Sequence, residues 1–297
     1  MYEQRFGLKR RPFPPTPDTA LYYPATLHES TLATLGRGLA DDESFVLLTG
    51  EAGMGKTLLG YALLERLEDK VASAFLTNSH FANRSALLQA ILYDLGLPYD
   101  DASEQTLRLR LTEQLLKNCA ADRRTILVID EAHHLSADLL EELRLLANLE
   151  AGNGKALQVV LLAQPALIST LRQPGLESLL QRVAIRSSLG PLPIEEAYDY
   201  LLHHVRLVGG RPEKIFDDTA LEVIARGTHG IPRCLNQAAH QALVLAEEGE
   251  LTKVDAEAAL EALSLLGMAP LEEATEAETA PEKEPSHPNI QNFMRTA

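Results

Sequence analysis

The eight residues GEAGMGKT at 50–57 place Gly50, Gly55, Lys56 and Thr57 in the spacing G-x-x-x-x-G-K-[ST]. Glycines at those points let the backbone curl until successive N–H groups face one anion-sized hollow, and a helix opening at Lys56 turns its positive end the same way. Phosphate is the anion such a hollow fits. Gly50, Glu51, Ala52, Gly53, Met54, Gly55, Lys56, Thr57 and Leu58 are therefore expected around the phosphate chain of ATP. Lys56 should reach the β- and γ-phosphates, and the Thr57 hydroxyl should serve Mg²⁺.

A second constellation lies in VIDEAHHL, residues 128–135, where the apolar run TILVI (125–129) delivers Asp130 and Glu131. Ligands sit at the carboxyl edge of parallel α/β sheets, so a strand here brings both acids to the phosphate site. Asp130 is assigned to the Mg²⁺ shell, and Glu131 to orienting and polarising the attacking water.

The letters D-E-A-H at 130–133 also spell a helicase tetrapeptide, and His133-His134 raises a metal site. A helicase of that kind needs a second α/β lobe, and the chain carries neither an S-A-T triplet nor Q-x-x-G-R-x-G-R. Adjacent histidines diverge by about 100° on a helix and about 180° on a strand. With no H-E-x-x-H nearby, His133-His134 and likewise His203-His204 are expected at the surface or core edge, not on zinc.

The elements that must position these residues read as an α/β chain. FVLLT (45–49), SAFLT (73–77), TILVI and LQVVLLA (157–163) are strand candidates, separated by helical patterns in 56–70, 85–96 and 106–118. Ser136 is placed to cap a helix over 137–150. Before them, the Pro-rich RRPFPPTPDTALYYP (10–24) should be extended or turned, followed by a short helix near His28–Leu39. From Pro191 the pattern becomes successive amphipathic helices. The expected division is a strap and helix at 1–43, a nucleotide-binding core at 44–190, a helical lid at 191–268 and a disordered acidic tail at 269–297.

Composition bounds the partners. The 297 residues carry a net charge of −15, which does not indicate broad attraction to nucleic acid, although DNA binding stays open as an alternative. Cys119 and Cys234 form no CxxC spacing and read as reduced thiols of a cytoplasmic protein. No apolar run is long enough for a transmembrane segment, and MYEQRFGLKRRPF lacks the apolar stretch of a secretory signal.

Four polar positions complete the pattern. Gln164 ends LQVVLLA beside the end of the Asp130 strand, where it could sense the γ-phosphate or help place the water. Arg182, with Arg186 four residues on, precedes the change of domain and could point at a neighbouring subunit's ATP. Arg233 follows Pro232 at a helix start and could reach back over the γ-phosphate from the lid.

Taken together, GEAGMGKT, TILVIDEAHHL, LLAQP, LLQRV and GIPR resemble an AAA+ ATPase. FGLKRRPF, LYYP, LAQPAL, IFDDTALEVI and GIPRCLNQAAHQAL resemble more closely the ExeA/GspA branch associated with type II secretion and pilus assembly. The likeness runs over about residues 5–265 and implies a parallel five-stranded sheet between helices, a small all-α lid, and a ring or arc of subunits with Arg182 acting in trans. It also implies that Phe13 to His28 wraps over the base. The longer ExeA-like proteins continue into a transmembrane segment and a peptidoglycan-binding domain. Neither is read here, so the expectation is an ATPase acting on an unknown protein partner, recruited to the inner membrane if that partner lies there. Transposition-regulating and Orc/Cdc6-type ATPases share the same core, which leaves a DNA-transaction regulator or a slow nucleotide switch as the alternatives.

Overall fold

Five parallel strands form one sheet in the order β2-β3-β4-β1-β5: β1 Phe45–Gly50, β2 Val71–Leu76, β3 Arg124–Ile129, β4 Gln158–Ala163 and β5 Val183–Leu189. The structure is a computed structural model that describes residues 2–67, 71–100, 102–151 and 154–268. The expected acidic tail at 269–297 lies outside the described residues. β1 and β4 are buried along their whole length, as unbroken apolar runs must be when helices cover both faces.

Successive side chains of each strand point to opposite faces. Leu47, Leu127, Ile129, Val159 and Leu161 pack on one side against α3 (Arg84–Asp94), α4 (Glu104–Ala120) and α5 (Ala137–Leu146). Val46, Leu48, Ile126, Val128, Val160 and Leu162 face the other side, under α1 (Thr26–Ala40) and α2 (Lys56–Glu65). Each such side chain stabilises the fold by roughly 2 kcal/mol. Ser136 does cap α5, its side chain accepting from the Leu139 N–H.

Pattern reading located four strands; the fifth is VAIRSSL. It sits at the sheet edge with β1 as its one strand neighbour, and its burial alternates, so Arg186 and Ser188 face water. An edge strand with charged and hydroxyl side chains offers no apolar run to detect. Arg186 therefore lies within this strand, paired in register with Leu47.

After α6 (Ala166–Leu171) and α7 (Glu177–Arg182), the chain builds a second core from α8 (Ile194–Leu207), α9 (Asp218–Gly227), α10 (Pro232–Glu248) and α11 (Ala256–Leu265). Tyr2, Leu8, Phe13, Leu21 and Ala25 are buried in that same core. The Lys9 N–H donates to Val208 O at 2.9 Å, and Tyr2 Oη lies 2.9 Å from His240 Nδ1. Leu32, Leu35 and Leu39 of α1 belong to the sheet instead. The first 43 residues, expected as one strap and helix, thus divide their apolar side chains between two cores. Within the Pro-rich stretch, expected to be extended or turned, Thr19–Leu21 form a 3₁₀ turn because the Asp18 carboxylate accepts the Ala20 N–H.

Candidate functional site

The sheet order puts β4 between β1 and β3, so the loop after β1 and the acids after β3 share the carboxyl edge. Gly53 and Gly55 take φ of +87° and +91°, the left-handed region glycine enters freely. A Cβ on Gly53 would lie 2.9 Å from Arg233 Cβ, and one on Gly55 would lie 3.2 Å from His28 Nε2. Lys56 Nζ donates to Gly50 O at 2.8 Å and Glu51 O at 3.0 Å, folding the ammonium back over the loop. Burial pushes the Lys56 pKa down, and the Glu131 and Asp130 carboxylates oppose that shift.

Thr57 Oγ1 donates to Asp130 Oδ2 at 2.5 Å, joining the phosphate loop to β3. Asp130 Oδ1 accepts the Glu131 N–H at 2.8 Å. Burial raises the Asp130 pKa, while these two hydrogen bonds favour its ionised form. A hydroxyl and a carboxylate are hard oxygen donors of the kind Mg²⁺ takes, so Thr57 and Asp130 fit that ion.

Glu131 sits at φ 51°, ψ 34°, a left-handed conformation costing a non-glycine residue roughly 1–2 kcal/mol. Its carbonyl is held by Ser79 Oγ at 2.5 Å and the His134 N–H at 3.0 Å, both donating. The side chain stays 40% exposed, free to meet solvent or a ligand. Gln164 follows β4 at the same edge, its N–H donating to His133 Nδ1 at 3.4 Å.

The helical core reaches the loop through Arg233, whose N–H donates to Gly53 O at 3.2 Å. Between them opens a cavity of about 400 Å³. Gly53, Gly55, Lys56, Thr57, Leu58, Glu131 and Arg233 are among the residues that line it. Phe13 to Asp18, Tyr200, His204 and Asn236 line it too, and their aromatic and proline surfaces suit a flat ring. Arg182 does not line it. It ends α7, half-buried, close enough to Glu150 to add to Lys155 in holding that carboxyl below its usual range. Arg186 is tied back to Val183 O and Leu180 O at 3.2 and 2.8 Å, which leaves Arg182 as the arginine less committed to its own backbone.

Sequence reading missed several contributors. His28 is buried in α1 and its Nε2–H donates to Met54 O at 3.1 Å, bracing the loop from behind. Ser79 is fully buried under Glu131, and Tyr200 and His204 occupy one face of α8. The i,i+4 pairing of Tyr200 and His204 on an otherwise apolar face was the available signal; Ser79 and His28 carried none.

His204 adds a pH dependence. Its Nδ1–H donates to Pro12 O at 3.0 Å, Phe13 stacks on its ring, and burial lowers its pKa to about 4 from 6.5. Unfolded chains take up this proton below pH 6.5 whereas the fold resists it until about pH 4. Stability from this group is therefore intact above pH 6.5 and falls between those values, by about 3 kcal/mol in all. Urea unfolding at pH 7 and pH 4.5 should show His204→Asn losing distinctly less stability than the wild-type chain over that interval.

A parallel sheet in this order, a phosphate loop after its first strand, paired acids after its third and a helical domain over the cavity define a P-loop NTPase fold of the AAA+ type. Residues 39–171 match the family model described as an AAA domain. Over 247 residues it is 41% identical to general secretion pathway protein A of Aeromonas hydrophila, covering 83% of this chain and 45% of that protein. The chain thus spans less than half the length of that relative. Among solved structures, the Aeropyrum pernix ORC2 protein in its ADPNP–ADP complexes superposes with a TM-score of 0.65 at 18% identity, covering 80% of this chain and 66% of that one. Cdc6p from Pyrobaculum aerophilum gives 0.65 at 19%, covering 80% and 68%. The Thermotoga maritima RuvB Holliday junction branch migration motor gives 0.57 at 18%, covering 83% and 73%. These likenesses carry the fold. Among the described residues, no helix is long and apolar enough to cross a membrane.

Proposed function

We propose that this chain is a Mg²⁺-dependent ATPase whose turnover remodels or assembles a protein complex in a secretion- or pilus-related process. The observation that carries the reading is the Thr57–Asp130 hydrogen bond, with Arg233 closing on Gly53 from the other side. Through it the phosphate loop, the acids of β3 and the helical domain meet at one cavity. Lys56 would neutralise the β- and γ-phosphates, and the loop N–H groups would hold their oxygens. Thr57 and Asp130 would hold Mg²⁺, which supplies charge neutralisation to the transferring phosphoryl group. Glu131 would orient a water and take its proton as the water oxygen bonds to the γ-phosphorus and the β–γ bridging bond breaks. Arg233 would register the γ-phosphate and move the helical domain with hydrolysis; Gln164 would help place the water.

The secretion assignment rests on the likeness to general secretion pathway protein A. A cytoplasmic protein recruited to the inner membrane through its partner agrees with that likeness. Phosphate release from ATP with Mg²⁺, absent with EDTA, tests the chemistry. ATP-dependent recovery of a protein partner after nuclease treatment tests the role, and recovery that needs duplex DNA would overturn it.

Subunits would assemble as a ring or arc with Arg182 aimed at the neighbouring site. Arg182→Ala should then bind ATP normally and turn over at least about tenfold more slowly. Mixing it with Lys56→Ala subunits, which keep Arg182, should restore part of the rate. Full activity of wild-type chain at dilutions where sedimentation finds only monomer would rule the arrangement out.

A further inference from the structure

Glu131, His133 and His134 bring one ligand atom each within 4.8 Å of one another. Adjacent histidines were expected to diverge, and on a regular helix or strand they would. Here Ala132–His134 form a 3₁₀ turn entered from the left-handed Glu131, and the two rings end 4.1 Å apart, tilted by 39°. His80 stacks on the outer face of the pair, its ring 4.1 Å from that of His134. Two imidazoles and one carboxylate are the donor set of three-ligand zinc centres that leave a fourth position for water.

A second observation points to a cation. His133 Nδ1 accepts the Gln164 N–H at 3.4 Å, a long contact that a metal ion taking the same lone pair would replace. Glu131 Oε2 lies 3.4 Å from the same nitrogen. That nitrogen and the carboxylate thus lie side by side, and a cation bound to both would take the place of the Gln164 contact. Their separation also matches the edge of a tetrahedron with bonds of about 2.1 Å, which is about 3.4 Å. Glu131 and His134 are the more exposed members, and small rotations of their side chains close the remaining distances.

We propose that Glu131, His133 and His134 form a site for a divalent transition-metal ion of the Zn²⁺ type, and that its occupation withdraws Glu131 from catalysis. Imidazole donors select such ions over Mg²⁺, which prefers an all-oxygen octahedron, so this site is distinct in chemistry from Thr57 and Asp130. The inhibitory consequence rests on the reading of Glu131 as the group that polarises water; the binding itself does not.

The test titrates Zn²⁺ into nucleotide-free, full-length chain by calorimetry with Mg²⁺ present in excess. One ion should bind per chain, and His134→Ala should weaken it at least about tenfold. His134 is exposed, so its loss leaves the fold intact; Glu131→Gln provides a second variant that should weaken binding equally. Zinc that does not bind the wild-type chain, or that binds both variants with wild-type affinity, overturns the site. In a second arm, buffered Zn²⁺ is added to hydrolysing protein at saturating Mg·ATP, with the wild-type chain and His134→Ala each compared with its own zinc-free rate. Inhibition of the wild-type chain that His134→Ala relieves supports the regulatory step, and equal inhibition of both overturns it. Absence of turnover in zinc-free wild-type chain would sink the ATPase reading, with the calorimetry still deciding the site.

Discussion

Glu131→Gln is expected to keep ATP bound and to hydrolyse it at least about 100-fold more slowly than the wild-type chain. The amide is the same size as the carboxylate but cannot take a proton from water. The change is also local. The supports of residue 131, from Ser79 Oγ and the His134 N–H, end on its backbone carbonyl, and its own N–H donates to Asp130. None depends on the side chain, so the left-handed turn and the Thr57–Asp130 bond should persist. ATP held without turnover should accumulate the nucleotide-bound assembly. Single-turnover phosphate release, with retained nucleotide measured after rapid gel filtration, separates the two effects. Release within about threefold of wild type would show that another group polarises the water.

How far the sequence led depends on how each residue acts. Gly50, Lys56, Thr57, Asp130 and Glu131 were legible because their roles follow from chain-local spacing and from the end of an apolar strand. The sheet's inner strands were legible for the same reason: burial on both faces leaves unbroken apolar runs, as in VVLLA of β4. The edge strand VAIRSSL was not, because one solvated face and one strand neighbour dilute the pattern to Arg and Ser. His28 and Ser79 were invisible for a different reason. Each acts on a backbone carbonyl, His28 26 residues before Met54 and Ser79 52 residues before Glu131, and no local spacing encodes such a contact. The docking of Tyr2, Phe13 and Leu21 into the helical domain likewise exists only once the chain has folded back on itself. His133 and His134 do lie at the core edge and surface, but the 3₁₀ turn after a left-handed residue brings their rings together where ideal periodicity would spread them.

Lys56→Ala should weaken ATP binding at least about 100-fold, a loss of about 2.7 kcal/mol. Charge-assisted hydrogen bonds are worth about 1.5–3 kcal/mol each, and this ammonium would make more than one to the phosphates. Unfolding is the competing explanation for any such loss, and the geometry separates them. In the nucleotide-free chain Nζ is held by two carbonyls, and burial already depresses its pKa, so truncation removes a desolvated charge along with its two bonds. Those terms oppose each other, and the melting temperature without nucleotide should move little. The ATP-induced shift should nearly vanish. At an ATP concentration about 100 times the wild-type Kd, the wild-type chain gains about 2.7 kcal/mol, whereas a 100-fold weaker variant gains about 0.4 kcal/mol. Lys56→Arg keeps the charge but places a planar fork where a compact ammonium folds between Gly50 O and Glu51 O, so it should recover only part of the shift. Thermal unfolding with and without ATP, across the three chains, reads all of this at once. A Lys56→Ala chain that melts as wild type and keeps the full ATP shift would mean that the nucleotide is held elsewhere.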